Sequence, residues 1–436
     1  MSSTDRHSDA RFGPSLTNYY NVSDPAPGPE AARRLARRVA GRHSRGVQGR
    51  VNEDVAPLTR RNTVRVGVPK EVKNHEYRVA TTPAGVHELV RDGHEVVVQE
   101  GAGAGSSIPD TEYVSAGARV VPDAATVWES SDLVWKVKEP VASEFALMRE
   151  GQLLFTYLHL AASKECTQAL LEHKVTAVAY ETVQTADGGL PLLAPMSEIA
   201  GRLAPQAGAQ TLLSVDGGRG VLMGGVPGVR PAQVTILGAG VAGLNAARVA
   251  LGMGAEVTLL DVSTPKLRHA DELFQGRVRT LASNTYSVES TVLESDLVIG
   301  AVLLPGAKAP TLVSNELVSR MRPGSVLVDI AVDQGGCFAD TRPTTYDAPS
   351  YPVRGSLFYC VANMPGAVPH TSTHALTKDT LPFAHALADR GWRHAMAEDP
   401  RLARGLNTHA GVVTNTAVAE AHGLPAMSVA EALTEG

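Results

Sequence analysis

A chain of 436 residues has length for about two or three domains and a sizeable core. With 43% hydrophobic and 19% charged residues it reads as an ordinary water-soluble protein, and a formal net charge of -5 gives no reason to expect nucleic acid or an anionic membrane as main partner. Its three scattered cysteines, Cys166, Cys337 and Cys360, lack metal-ligand spacing, no apolar run approaches the roughly 20 residues of a spanning helix, and no secretory core opens the sequence, so the expected compartment is the reducing cytoplasm.

Residues 1–63 differ in composition from the rest of the chain. Pro25, Pro27 and Pro29 stand among Ser, Asp and Asn, and ten arginines against two acids occupy Ala31 to Arg65. Such a stretch suits either an arm for an acidic partner or a solvated, mostly disordered leader. The scarcity of apolar positions favours the leader.

Order is expected from Val64. The strand VRVGVP precedes Thr82-Pro83, an N-cap and first-turn pair for the helix TPAGVHELVRDG. EVVVQ comes next, then GAGAGSS, whose glycines at 101, 103 and 105 miss the dinucleotide spacing. Strands are legible at 132–137, 152–158 and 175–180, with the helix TQALLEHK before the last. A long helix from about Pro195 to Leu213 leads to further strands at 296–303, 325–333 and LFYCVAN, ending at Asn363. From VPHTSTHAL to Gly436 the chain reads as helical without a strand. Alternating strands and helices imply parallel sheets with right-handed crossovers. The expected fold class is therefore α/β, with two doubly wound parallel-sheet domains and a cleft between them. One is discontinuous (64–192 and 370–436), and the other, 193–369, is of the Rossmann type.

The second domain carries the most informative stretch, VTILGAGVAGLNAARVALGMGAEVTLLD, from Val234 to Asp261. Gly238 permits the tight turn out of a strand, Gly240 lets backbone approach a pyrophosphate, and Gly243 allows close packing of helix on sheet. The helix that begins there directs unpaired N–H groups at phosphates. Asp261, ending the next strand, is placed to accept from both adenosine ribose hydroxyls and to repel a 2′-phosphate, which selects NAD over NADP.

Four ionisable residues stand just past expected strand ends and face the cleft. Each has a bland reading: Arg78 as a surface ion-pair partner, Lys138 as a solvated lysine, His159 as a satisfied core histidine, Asp333 as a turn cap. Together they supply what oxidation of a small amino or hydroxy acid needs. Arg78 offers a planar, bidentate cation for a carboxylate, and Lys138 a point charge for a carboxylate or carbonyl oxygen. His159 supplies an imidazole, the side-chain type suited to moving protons as water attacks an iminium. Asp333, from the cofactor side, orients that water and stabilises the cation.

Long stretches make the chain resemble the family of bacterial alanine dehydrogenase and the nicotinamide-binding subunit of proton-pumping transhydrogenase. They include VGVPKEVKNHEYRVATTPAGV, KVKEP, LFTYLHLA, ETVQTADGGLPLLAPMSEIAGR, GGRGVLMGGVPGV, VLVDIAVDQGGCF, RPTTY and YCVANMPGAVPHTST. The resemblance covers Val64 to about residue 430; residues 1–63 have no counterpart in the family pattern. It implies reversible oxidative deamination of L-alanine to pyruvate and ammonium with NAD, with glyoxylate as a side substrate, in a cytoplasmic homohexamer. It places Arg78 and Lys138 on the substrate and His159 and Asp333 in catalysis. Contacts to NAD fall on Ser197, Asp261, Lys266, Ser283, Val302, Leu303, Ile330, Asp333, Arg342, Asn363 and Met364. A transhydrogenase-like subunit is the rival; in that branch the histidine and the acid before QGG are not kept. A dehydrogenase of another amino acid is a further alternative.

Overall fold

The computed structural model describes residues 63–302 and 309–434. The expected leader, apart from Thr63, and Leu303 lie outside the described residues. The chain enters β1 (Arg65–Val68), then β2 (Glu95–Gln99), β3 (Arg119–Val121), β4 (Leu133–Trp135), β5 (Leu153–Thr156) and β6 (Thr176–Ala179). Helix α1 (Ala194–Thr211) carries it to β7 (Gln233–Leu237), and α2 (Val241–Gly252) to β8 (Glu256–Asp261). β9 (Arg279–Ala282), β10 (Leu297–Gly300), β11 (Val326–Asp329), β12 (Ser350–Val353) and β13 (Ser356–Tyr359) come next. After α3 (Pro369–Arg390), β14 (Leu406–His409) and β15 (Val412–Val413) are the last strands of the described residues.

These strands form two mostly parallel sheets, ordered β15-β14-β6-β5-β4-β1-β2-β3 and β12-β13-β11-β10-β7-β8-β9. Strands β5, β6, β10 and β11 are buried along their whole length. Burial on both faces explains why they read as continuous apolar runs instead of alternating ones. Helix starts obey local chemistry: Pro83 opens its helix, and the Thr82 hydroxyl accepts from Gly85 N at 3.5 Å.

Small residues let α1 run tightly across the second sheet. A Cβ on Gly201 would lie 2.2 Å from the Ala242 carbonyl oxygen of α2, and one on Gly208 would lie 2.6 Å from the Leu297 side chain. Returning from the second sheet, α3 places Leu376, Phe383 and Leu387 in the same core as Val66, Val98 and Phe155.

Three expectations need correction. The C-terminal segment is not purely helical, because β14 pairs antiparallel with β6, and β15 pairs antiparallel with β14. LNTH carries no apolar alternation; it is a strand because its polar groups find partners there. Thr408 Oγ1 donates to Val175 O at 2.9 Å and Asn407 Nδ2 to Thr182 Oγ1 at 2.7 Å. The sheets are consequently mixed, β12 against β13 being the other antiparallel pair. Finally, the strand expected to run to Asp333 stops at Asp329, whose carboxylate accepts from Ala331 N at 3.1 Å and Cys337 N at 2.9 Å and so turns the chain.

Candidate active site

The topology assembles the candidate residues at strand C-terminal ends, where open α/β sheets bind ligands. Strands β5, β4 and β1 are adjacent and parallel, and they lead to His159, Lys138 and Arg78 respectively. In the other sheet β11, β10, β7 and β8 are adjacent and parallel, leading to Asp333, Val302, the glycine turn and Asp261.

Arg78 is no surface residue: it is 2% exposed. Its Nε donates to Glu76 Oε1 at 2.7 Å and its NH2 to Glu76 Oε2 at 2.6 Å. The expected bidentate grip on a substrate carboxylate is thus corrected, since that edge of the guanidinium already serves a buried carboxylate. NH2 also donates to Asn363 Oδ1 at 2.8 Å, while NH1 meets only a weak acceptor, Met196 Sδ, at 3.0 Å. Of the three guanidinium nitrogens, NH1 alone donates to no oxygen among the described residues. Asn363 Nδ2 returns a bond to Glu76 Oε2 at 2.9 Å, so Asn363, three residues beyond Cys360 on the second-sheet side, ties the two sheets at this point. Burial alone would raise the Glu76 carboxyl, but Arg78 and Asn363 outweigh it and hold it down at about 2.

Lys138 is half-buried. Burial and the Arg78 cation push its ammonium below the ordinary lysine range, while Glu139, Asp333 and Glu76 pull the other way. That pull places the Asp333 carboxylate, exposed on the short turn Val332–Gln334, within electrostatic reach of Lys138 across the two sheets. The turn that follows is closed by backbone alone, Gly335 N donating to Val332 O and Gly336 N to Ala331 O at 3.1 Å each, so the Asp333 carboxylate does not serve as its cap.

His159 is exposed rather than packed in the core, with 42% of its side chain accessible. Its backbone is left-handed (φ 50°), and its ring stacks on Tyr157 with centroids 5.9 Å apart and planes 6° apart. Glu181 holds that conformation: its carboxylate accepts from His159 N at 2.6 Å and Leu158 N at 3.2 Å, and lies 4.0 Å from His159 Nδ1. Asn363 (φ 59°) and His75 (φ 57°) are also left-handed. Such non-glycine strain, of order 1–3 kcal/mol each, gathers where surrounding bonds over-determine the backbone.

The glycine turn fits a dinucleotide. Gly238 has φ 106°, and a Cβ on Gly243 would fall 1.8 Å from the Gly238 carbonyl oxygen. A Cβ on Gly240, which precedes α2, would meet nothing within 4 Å, so the face required for a pyrophosphate is open. Asp261 does more than the ribose role expected of it. Its Oδ2 accepts from Ala239 N at 2.7 Å and its Oδ1 from Ser263 N at 2.8 Å, bracing the glycine turn and leaving about two of its four acceptor sites. Lys266 Nζ stands 4.0 Å from Asp261 Oδ2, and Ser283 N donates to Asp261 O at 3.0 Å.

Of the remaining residues, Ile330 N donates to Gly300 O at 2.9 Å, and Val302 flanks the glycine turn, 3.1 Å from a Cβ built on Gly238. Ser197 lies half-buried near the start of α1. Met364 is packed in the second-sheet core. Arg342 is set apart: its guanidinium lies 4.0 Å over the Tyr351 ring, beside β12 at the sheet edge. Sequence reasoning passed over Glu76, Glu181 and Asp329. Glu76 stands in NHEYR two residues before Arg78, but partnership with Arg78 has no signal in composition or period. No group of three or more His, Cys, Asp or Glu side chains suited to a metal occurs among the described residues.

The same architecture recurs in known proteins. The family pattern "Alanine dehydrogenase/PNT, N-terminal domain" matches residues 67–200, and "Alanine dehydrogenase/PNT, C-terminal domain" matches residues 204–416. The alanine dehydrogenase of Mycobacterium tuberculosis is 61% identical over 362 residues, 83% of this chain and 98% of its own. That of Methanococcus maripaludis is 55% identical over 371 residues, 85% of this chain and all (100%) of its own. A solved L-alanine dehydrogenase superposes with a TM-score of 0.80 at 50% identity, covering 82% of this chain and 99% of its own. The transhydrogenase from Sinorhizobium meliloti gives 0.69 at 28% identity, covering 81% and 99%. Matched in both halves of its fold, the chain belongs to the alanine dehydrogenase/PNT family.

Proposed function

We propose that this chain is an NAD-dependent alanine dehydrogenase, converting L-alanine, water and NAD+ to pyruvate, ammonium, NADH and a proton, and the reverse. The observation that carries the reading is a buried arginine beside a half-buried lysine on one sheet, with the Asp333 carboxylate of the other sheet in electrostatic reach. High identity to alanine dehydrogenases favours it over a transhydrogenase subunit, as does the presence of both His159 and Asp333.

In this reading the turn before α2 would hold NAD, Gly240 leaving room for its pyrophosphate and Asp261 bonding its ribose, and the cofactor would supply the acceptor for the hydride the substrate loses. Arg78 NH1 and the Lys138 ammonium hold the substrate carboxylate and the oxygen that becomes the pyruvate carbonyl. Glu76 and Asn363 keep the guanidinium from turning. His159 takes the proton of the water that attacks the iminium and returns it to the departing amine. Asp333 orients that water and offsets the iminium charge. The side chain of alanine is one methyl, worth only about 1–3 kcal/mol of discrimination, so glyoxylate is expected as a slow alternative to pyruvate.

The domain boundaries of the sequence reading (64–192 with 370–436, and 193–369), a homohexameric assembly and a cytoplasmic location belong to the same proposal. Among the described residues no helix is long and apolar enough to cross a membrane. The test is His159→Ala: turnover of alanine and pyruvate should vanish while NADH binding, read by fluorescence, stays near wild type. Equal loss of both would make His159 a structural residue.

A further inference from the structure

We propose that His370 and His374, on the first two turns of α3, form a chelating site for a divalent transition metal. They are four residues apart, so they share one helix face. Both are exposed, and their ring centroids lie 4.8 Å apart with the planes tilted 50°. That spacing is what a shared ion requires. A metal bound about 2.0–2.1 Å from each imidazole nitrogen, at angles between square and tetrahedral, sets the centroids about 4.5–5.2 Å apart. Imidazoles at this separation and mutual tilt can turn both nitrogen lone pairs onto one ion, which parallel stacking would not allow.

The donor set fixes the class of ion. Two imidazoles suit Cu2+, Ni2+, Co2+ or Zn2+ and not Mg2+ or Ca2+, which take oxygen ligands. With no third ligand group among the described residues, the remaining coordination positions go to water, and the site is open. Its place in the fold gives it a structural effect. Ser372 and Thr373, between the two histidines, are buried anchors: Ser372 Oγ donates to Pro365 O at 2.7 Å, and Thr373 Oγ1 accepts from Val79 N at 3.1 Å. A metal stapling this turn therefore fixes the segment joining Asn363 to the neighbour of Arg78. Neither histidine touches the catalytic groups, so the site is separate from the proposed active site and does not depend on that function.

The experiment is a calorimetric titration of chelator-treated, tag-free, full-length protein with NiCl2, comparing wild type with His370→Ala, His374→Ala and the double variant. One binding event should be present in wild type and weakened about a hundredfold in each variant, since each loses the second, intramolecular ligand. Affinity should climb from Co2+ through Ni2+ to Cu2+. Ni2+ should raise the Tm of wild type and not of the double variant, while metal-free turnover is equal in all four proteins. Titrations that do not differ between wild type and the double variant overturn the proposal, as does an unchanged affinity in either single variant.

Discussion

The ion pair between Glu76 and Arg78 gives the sharpest quantitative test. Both side chains are 1% exposed and bonded through two parallel contacts, so Glu76→Gln keeps the shape and removes one charge. The carboxyl is held at about 2 against an ordinary 4.5, a displacement worth about 3 kcal/mol. Breaking one side of a buried pair costs about 3–5 kcal/mol by an independent route, because the other charge is left uncompensated. The variant should therefore lose about 3 kcal/mol in denaturant unfolding at neutral pH. The sign with pH is fixed too. A carboxylate with a depressed folded pKa adds stability above its unfolded value, and this is lost as pH falls from 4.5 toward 2. That acid limb should be shallower in Glu76→Gln. Adding Arg78→Met should restore part of the loss, since no buried charge then stands alone. A Glu76→Gln protein within about 0.5 kcal/mol of wild type, the size of an ordinary surface change, would refute the reasoning.

Other outcomes rest on the same geometry. Burial pushes Glu71 up to about 7 despite Lys136 at 3.3 Å. The folded state thus holds a proton the unfolded chain has released, and its contribution to stability should fade as pH rises from about 4.5 to about 7; Glu71→Gln should flatten that slope in unfolding measured across the range. Asp261→Ser should raise the NADPH to NADH ratio of kcat/KM by about an order of magnitude, as one repulsive charge is removed; an unchanged ratio in initial rates would assign the ribose to another residue. In Asp329→Asn an amide faces the donors Ala331 N, Cys337 N and Thr341 Oγ1. Stability should drop by about 2 kcal/mol and kcat should fall through a displaced Asp333, with NADH affinity nearly unchanged in fluorescence titration.

Much of this protein is local and hence legible along the chain. The glycine turn was readable because each glycine answers a steric demand within a few residues: Gly243 because any side chain would strike the Gly238 carbonyl, and Gly240 because the space before it must stay clear. Buried parallel strands announce themselves as apolar runs, and Thr82-Pro83 as a helix start. Arg78, Lys138, His159 and Asp333 were legible as ionisable residues past strand ends, and the resemblance matched them to substrate and catalytic positions of the family. What the sequence could not settle is whatever depends on a partner far along the chain. LNTH is a strand only because β6 and the carbonyl of Val175 are waiting for it. Glu181 is 22 residues from the histidine whose backbone it fixes, and Asn363 is 285 from the arginine it steadies. Both interactions are short-ranged in space and invisible to periodicity, which reports which face of an element is buried but not which group stands opposite it.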